Sequence, residues 1–210
     1  TGNKGPLFAV DFNEEDIVIN PQVAENENME TYRNIVLFGV DSRTGQLAKG
    51  TLSDCIIIAS INEETGDVKL VSVYRDTYLN LGNDKYGKCN SAYSYGGAEQ
   101  AIKMLNTNLD LDIKEFVTVG FDGLTATIDA LGGVNIEVPC RMYKPLEAID
   151  LLPGYQTLSG SEALAFVRWR GDGTGDYGRI ERQQEFLTAV TGKVREMSMK
   201  QALGVASAVM

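Results

Sequence analysis

Two apolar runs of strand length, Asn34-Ile-Val-Leu-Phe-Gly-Val-Asp41 and Cys55-Ile-Ile-Ile-Ala-Ser-Ile61, constrain the fold of this chain more than any other feature. Neither alternates polar with apolar residues, so each reads as a strand covered on both faces, as in the sheets of α/β proteins. Asp41 closes the first run and Asp54 precedes the second, which puts a carboxylate at an end of each strand. Asn62-Glu-Glu-Thr-Gly66 is turn-forming and leads into a further extended stretch over residues 68–74, so the second and third strands are expected to form a hairpin.

Further along, residues 42–50 and 80–97 read as loops, and Ala101, Ile102, Leu105 and Leu109 recur at helical spacing over residues 98–109. Residues 116–121 read as a strand. Asp122 can cap a helix carrying Leu124, Ile128 and Leu131, which Gly132-Gly133 stops. Residues 134–138 form another expected strand, and residues 140–154 look irregular. Ser159-x-x-Glu162 is a capping box opening a helix over residues 163–167, and a last helix is expected from about Arg179 through Val194. Strands mixed with helices and a hairpin imply an α/β fold, a three-layer α-β-α sandwich around a central mixed β-sheet. Residues 1–32 read as an acidic lead-in segment and residues 33–210 as the domain.

Composition narrows the chemistry. The 210 residues contain no histidine, which removes serine-histidine catalysis and histidine-ligated zinc together. A net charge of -10 argues against a general nucleic-acid binder, whose affinity rests on distributed Lys and Arg. Cys55, Cys89 and Cys140 form no CxxC. Cys55, opening an apolar strand, is expected to be buried and inert, without a disulfide. No stretch approaches about eighteen consecutive apolar residues, so no transmembrane helix is expected. The chain opens without Met and is expected to be an excised fragment.

Against that acidic background, residues 166–184 reverse the sign locally: Arg168, Arg170, Arg179 and Arg182 crowd together, with Asp172 and Asp176 between them. Arginine's planar fork suits phosphate oxygens, so the cluster reads either as an anion site or as a solvated, salt-bridged surface. Arg168 and Arg170 share a side only where the chain has left the helix and runs extended. Arg179 and Gln183 share one face of the last helix, whereas Arg182 lies off it and reads as structural. Asp41 and Asp54 suit Mg²⁺ or Mn²⁺ as hard oxygen ligands, but loop-capping aspartates are the commoner reading of such a pair. Arg75-Asp76 and Lys88 also fall at element ends or loops, where sites are usually built. Tyr93 and Tyr95 read as packing residues. Phe116, Val119 and Phe121 are candidates to line an apolar slot.

Several of these segments together resemble the LytR-CpsA-Psr family of Gram-positive bacteria. Residues 34–43 look like its strand ending in Asp-Ser-Arg, Ser53-Asp54 like its Ser-Asp-Thr motif, and Tyr74-Arg-Asp-Thr-Tyr78 like its Pro-Arg-Asp-Thr motif. Residues 88–97 are similar to its Lys-Ile-Asn-x-Ala-Tyr-x-x-Gly-Gly segment, and Ala130-Leu-Gly-Gly-Val134 to its Gly-Gly-Val turn. Residues 158–184 resemble its most specific block, Leu-x-Gly-x-x-Ala-Leu-x-x-x-Arg-x-Arg followed by Gly-Asp-x-x-Arg-x-x-Arg-Gln-Gln.

The resemblance implies a membrane-anchored transferase at the extracellular face of the cytoplasmic membrane, the anchor being an N-terminal one absent from this chain. Such an enzyme moves a glycopolymer from a polyprenyl-pyrophosphate carrier onto peptidoglycan. It implies a Mg²⁺ (or Mn²⁺) ion at Asp41 and Asp54, pyrophosphate held by Arg75, Lys88, Arg168, Arg170, Arg179 and Gln183, and catalytic roles for Arg75, Asp76, Arg168, Arg170 and Asp176. No nucleic acid is implied. Leu52 replaces a usual Arg, Cys55 a Thr and Tyr74 a Pro, and the family's C-terminal region is expected to be cut short at Met210. A lipid pyrophosphatase and a prenyl-phosphate sensor, the latter matching the family's older label of transcriptional regulator, are the rival readings.

Overall fold

The computed structural model describes residues 8–9, 17–26, 31–42, 47, 49–82, 84–144, 149–171 and 173–198. It packs as two compact units, Thr1–Phe121 and Asp122–Met210. The first is built on β1 (Phe8–Ala9), α1 (Pro21–Ala24), β2 (Tyr32–Val40), β3 (Ser53–Asn62), β4 (Val68–Ser72), β5 (Tyr78–Asn80), β6 (Tyr86–Lys88), α2 (Asn90–Leu109) and β7 (Glu115–Val119). Its five-stranded sheet runs in the order β1-β7-β2-β3-β4, with β2 parallel to β7 and antiparallel to β3, and β3 and β4 form the expected hairpin. The fold is therefore α/β on a central mixed sheet, as the sequence implied.

One face of that sheet carries the core. Val36, Phe38 and Val40 of β2, Ile56 and Ile58 of β3, and Phe116 of β7 bury against Ala101, Ile102, Met104 and Leu105 of α2. Tyr93 joins them, its ring edge-on to Phe38 at 5.2 Å and its hydroxyl donating to the Leu47 carbonyl at 2.7 Å. On the opposite face Ile35 and Leu37 are only half-buried. Because side chains alternate along β7, Phe116 points into this core while Val119 takes the other face, so the two cannot line one slot.

The first unit departs from the sequence reading at residues 80–97. They form the β5–β6 hairpin and the start of a helix, so Lys88 ends a strand and does not sit in a loop. The helix begins at Asn90, but Gly96 and Gly97 take non-helical angles, Gly97 with φ +71, and kink it. A left-handed φ of this kind suits glycine, and the pair concealed the helix ahead of it. Tyr95, expected to pack, is exposed. Part of the expected 42–50 loop lies outside the described residues.

In the second unit α3 (Phe121–Ala130) starts at the boundary, followed by β8 (Val134–Val138), β9 (Met142–Lys144), β10 (Ile149–Leu151), β11 (Gly154–Leu158), α4 (Gly160–Arg168) and α5 (Gly175–Arg195). Asp122 lies inside the first turn of α3 and is not its cap, a place where a carboxylate still favours the helix dipole. Residues 140–154 are less irregular than expected: β9 pairs with β10, and β11 returns along β8 with Leu158 opposite Val134. Ile136, Val138, Leu158, Phe166 and Phe186 share the core of this unit. The capping box at α4 forms: a Glu162 carboxylate oxygen accepts the Ser159 N–H at 2.8 Å and its hydroxyl at 2.7 Å.

Candidate functional site

The first group of candidate residues lies at one end of the first unit's sheet. Past a bulge between Gly39 and Val40, the register pairs Val40 with Ser53, so Asp41 and Asp54 stand at the same end of neighbouring antiparallel strands. The turn after β4 brings in Arg75 and Asp76, and it is tied to the start of α2 by Cys89 N–H to the Thr77 carbonyl (2.8 Å) and Asn90 N–H to the Arg75 carbonyl (3.2 Å). Arg75 Nη1 donates to Asp54 Oδ1 at 2.9 Å, and its Nε lies 3.5 Å from Asp76 Oδ2. Lys88 Nζ reaches the other Asp76 oxygen at 2.6 Å. The Lys88 hydrogen bond, with the charges of Lys88 and Arg75, holds the Asp76 carboxyl below its ordinary range.

Two carboxylates at one strand end fit a small divalent ion only in part. Among the described residues no three His, Cys, Asp or Glu side chains cluster as a metal site. Mg²⁺ is commonly held by one or two carboxylates with water and substrate phosphate completing the shell, and the Asp41–Asp54 pair matches that donor set. Beside it, burial and the neighbouring Asp54 charge push the Cys55 thiol up to about 12, and all three cysteines are free. The expected inert thiol agrees with this, although Cys55 is half-buried and not fully buried.

Next to Arg75 and Asp76, a cleft of about 760 Å³ opens between the β5–β6 hairpin and α2, lined also by Leu52, Lys85, Tyr86, Lys88, Ser91 and Tyr95. Sequence reasoning missed Lys85, Tyr86 and Tyr95. Tyr86-Gly-Lys88 was the one trace of this lining, and three residues are too few for a period of two to be read as a strand.

The second group lies within the second unit. Arg168 is the last residue of α4, and Trp169 turns extended at φ -62, ψ 141, so the chain has left the helix by Arg170, as a shared role for the two arginines requires. Helix α5 begins at Gly175, earlier than expected, which places Asp176 in its first turn. Thr174 folds over the helix so closely that a Cβ on Gly178 would stand 1.8 Å from the Thr174 hydroxyl, so only glycine fits there. Asp176 Oδ1 is shared, lying 3.4 Å from both Arg170 Nη2 and Arg179 Nη2. Arg179 is 5% exposed, yet its Nε finds no hydrogen-bond partner among the described residues. Gln183, one turn on, is half-buried. Arg182 is 4% exposed and donates to the Trp169 carbonyl, which fits the structural part expected of it. Asp172 lies outside the described residues.

Comparison with known proteins puts these groups in a family context. The model of the LytR_cpsA_psr family matches residues 9–210. The polyisoprenyl-teichoic acid–peptidoglycan teichoic acid transferase TagU of Enterococcus faecalis is 33% identical over 175 residues, covering 82% of this chain and 57% of that protein. The crystal structure of TagV from B. subtilis superposes with a TM-score of 0.75 at 30% identity, covering 85% of this chain and 71% of that one. The structure of TagT with bound octaprenyl pyrophosphate lipid matches with a TM-score of 0.66 at 26% identity, covering 88% of this chain and 75% of that one. The chain spans about half the length of the curated relatives it matches.

Proposed function

Because this chain belongs to the LytR-CpsA-Psr family, we propose that it transfers a glycopolymer from a polyprenyl-pyrophosphate carrier to peptidoglycan, in the presence of Mg²⁺ or Mn²⁺, at the outer face of a Gram-positive cytoplasmic membrane. The observation that carries the reading is Arg179. A guanidinium this deeply buried is costly to hold unless its donors are satisfied, and here the carboxylate it shares with Arg170 is 3.4 Å away while Nε lacks a partner among the described residues. A phosphate oxygen at the terminal nitrogens of this guanidinium would offset the cost of its burial. Relatives named as teichoic acid transferases, and a neighbour with a prenyl pyrophosphate bound, give the same chemistry.

In this reading a sugar hydroxyl of the acceptor attacks the phosphorus that bears the glycopolymer. A new P–O bond forms, the bridging P–O bond breaks, prenyl monophosphate leaves, and the hydroxyl proton passes to solvent. Arg168, Arg170 and Arg179 bind phosphate oxygens and neutralise charge that builds on the leaving phosphate, with Gln183 adding a donor. Asp176 positions Arg170 and Arg179. Arg75 bonds phosphate while Asp76, 3.5 Å from the Arg75 Nε and bonded to Lys88 Nζ at 2.6 Å, orients it. Asp41 and Asp54 would hold a divalent ion, which would supply Lewis-acid neutralisation of phosphate charge.

The test is product analysis with a short-prenyl pyrophosphate donor, Mg²⁺ and uncross-linked peptidoglycan. Transfer yields prenyl monophosphate and a glycopolymer–peptidoglycan phosphodiester in equal amounts. Phosphate release that ignores the acceptor would make the protein a lipid pyrophosphatase, and tight binding without turnover would make it a sensor.

A further inference from the structure

We infer that Tyr93 is a positioning residue for the Asp41–Asp54 pair, its buried hydroxyl fixing the chain that joins the two aspartates; the inference rests on the proposed place of Mg²⁺ or Mn²⁺ at those carboxylates. The first turns of α2 meet that chain at three points. The Tyr93 hydroxyl donates to the Leu47 carbonyl at 2.7 Å, the Gly50 N–H donates to the Ser94 carbonyl at 3.0 Å, and the Ser53 hydroxyl lies 3.5 Å from the Asn90 carbonyl. Residues 90, 93 and 94 share one face of a helix, so a single surface serves all three contacts. The same turn is bonded to the Arg75 carbonyl through the Asn90 N–H. One stretch of helix therefore sets where Asp41, Asp54 and Arg75 stand.

Of the three helix residues only Tyr93 acts through its side chain, and packing alone does not call for a hydroxyl there. Tyr93 is 1% exposed, where a phenylalanine would fill the same space with no polar atom to satisfy. With its proton given to Leu47, the hydroxyl accepts from the Thr118 hydroxyl at 3.0 Å, so two buried polar side chains are committed to one backbone carbonyl. Burial raises the phenol's pKa, which keeps it a donor. Leu47 in turn reaches the end of β2: a Cβ built on Gly120 would stand 3.1 Å from Leu47 Cδ2 and 3.8 Å from Ser42 Cβ, so Leu47 and the residue after Asp41 pack over the same glycine. Mg²⁺ demands near-ideal octahedral geometry, and two carboxylates repel, so their spacing has to be held by the chain between them.

Tyr93→Phe is compared with Thr118→Val, which removes the other hydrogen bond of the same hydroxyl and leaves Leu47 bonded. Both are expected to lower the melting temperature. Binding of a short prenyl pyrophosphate is then titrated over a range of Mg²⁺ concentrations and in a chelator. Tyr93→Phe is expected to need about tenfold more Mg²⁺ to reach half of the metal-dependent gain in affinity, the lower end of what outer-shell partners of a metal site cost, while its affinity in the chelator matches wild type. Thr118→Val is expected to keep the wild-type Mg²⁺ dependence. If Tyr93→Phe does not fold, Gly120→Ala takes its place, its added Cβ pressing on Leu47, with a shift in the same direction expected. A Mg²⁺ dependence that is unchanged, or that shifts equally in Thr118→Val, would make Tyr93 a packing residue and overturn the inference while the metal reading stands. A wild type whose affinity ignores Mg²⁺ would overturn the metal reading, and the inference with it.

Discussion

The two charged groups of this molecule solve opposite problems. At the sheet end of the first unit the cations are paired off: Arg75 bonds Asp54 at 2.9 Å and Lys88 bonds Asp76 at 2.6 Å, all with side chains partly in water. In the second unit Arg179 and Arg182 are almost fully buried, and a single carboxylate, Asp176, is shared between Arg170 and Arg179 at 3.4 Å. The first arrangement is close to neutral without a ligand and tolerates a cation beside its carboxylates. The second holds its cation out of water, with 6% of the Arg179 side chain exposed against 25% for Arg75, which favours an anion. Under the proposed function, the difference divides the work between a group whose affinity would depend on a metal and a group whose affinity would not.

The largest expected break in that contrast is Asp54→Ala. It should lower divalent-dependent transfer on the order of a hundredfold to a thousandfold, the several kcal/mol a divalent ion contributes, while thermal unfolding stays close to wild type. Turnover that survives the substitution would remove the metal from the first group.

Arg182→Ala sharpens the other half. Its guanidinium ties α5 to the Trp169 carbonyl in the chain leaving α4, so removing it should cost about 1–3 kcal/mol of stability, seen as a lower melting temperature, with prenyl pyrophosphate affinity held. Lost affinity at unchanged stability would place Arg182 among the ligand-binding arginines.

The smallest expected effect is electrostatic. Asp76 titrates lower in the folded chain than in the unfolded one, so the unfolded chain takes up its proton first as the pH falls. The stabilisation is therefore present above the ordinary aspartate value and is lost as the pH falls through the lower folded value. Both partners are largely exposed, so the loss should stay under about 1 kcal/mol. Lys88→Ala should move the Asp76 carboxyl titration back toward the ordinary value, followed by NMR; an unmoved titration would show that Lys88 does not hold it.

What the sequence disclosed and what it hid follow from element length. The apolar runs of β2 and β3 were long enough to be read as strands with Asp41 and Asp54 at their ends, whereas the antiparallel register that puts both at the same end shows only in the fold. The capping box at Ser159 and Glu162 placed α4, and hence Arg168 at its end. Strands β5, β6, β9 and β10 are three residues each, too short for a period of two to show, so the cleft beside Lys88 and the order within residues 140–154 stayed hidden. Glycine misled twice: Gly96-Gly97 concealed the start of α2, and Gly175 with Gly178 concealed the first turn of α5 and the place of Asp176 within it.

The most direct test of the division between the two groups is calorimetric titration of a short prenyl pyrophosphate into wild type, Asp54→Ala and Arg179→Ala, each with Mg²⁺ and with a chelator. The account predicts that Arg179→Ala loses about ten- to a hundredfold in affinity under both conditions, whereas Asp54→Ala loses only the increment that Mg²⁺ adds and matches wild type in the chelator. A loss in Asp54→Ala that persists in the chelator, or an Arg179→Ala protein restored by Mg²⁺, would contradict it.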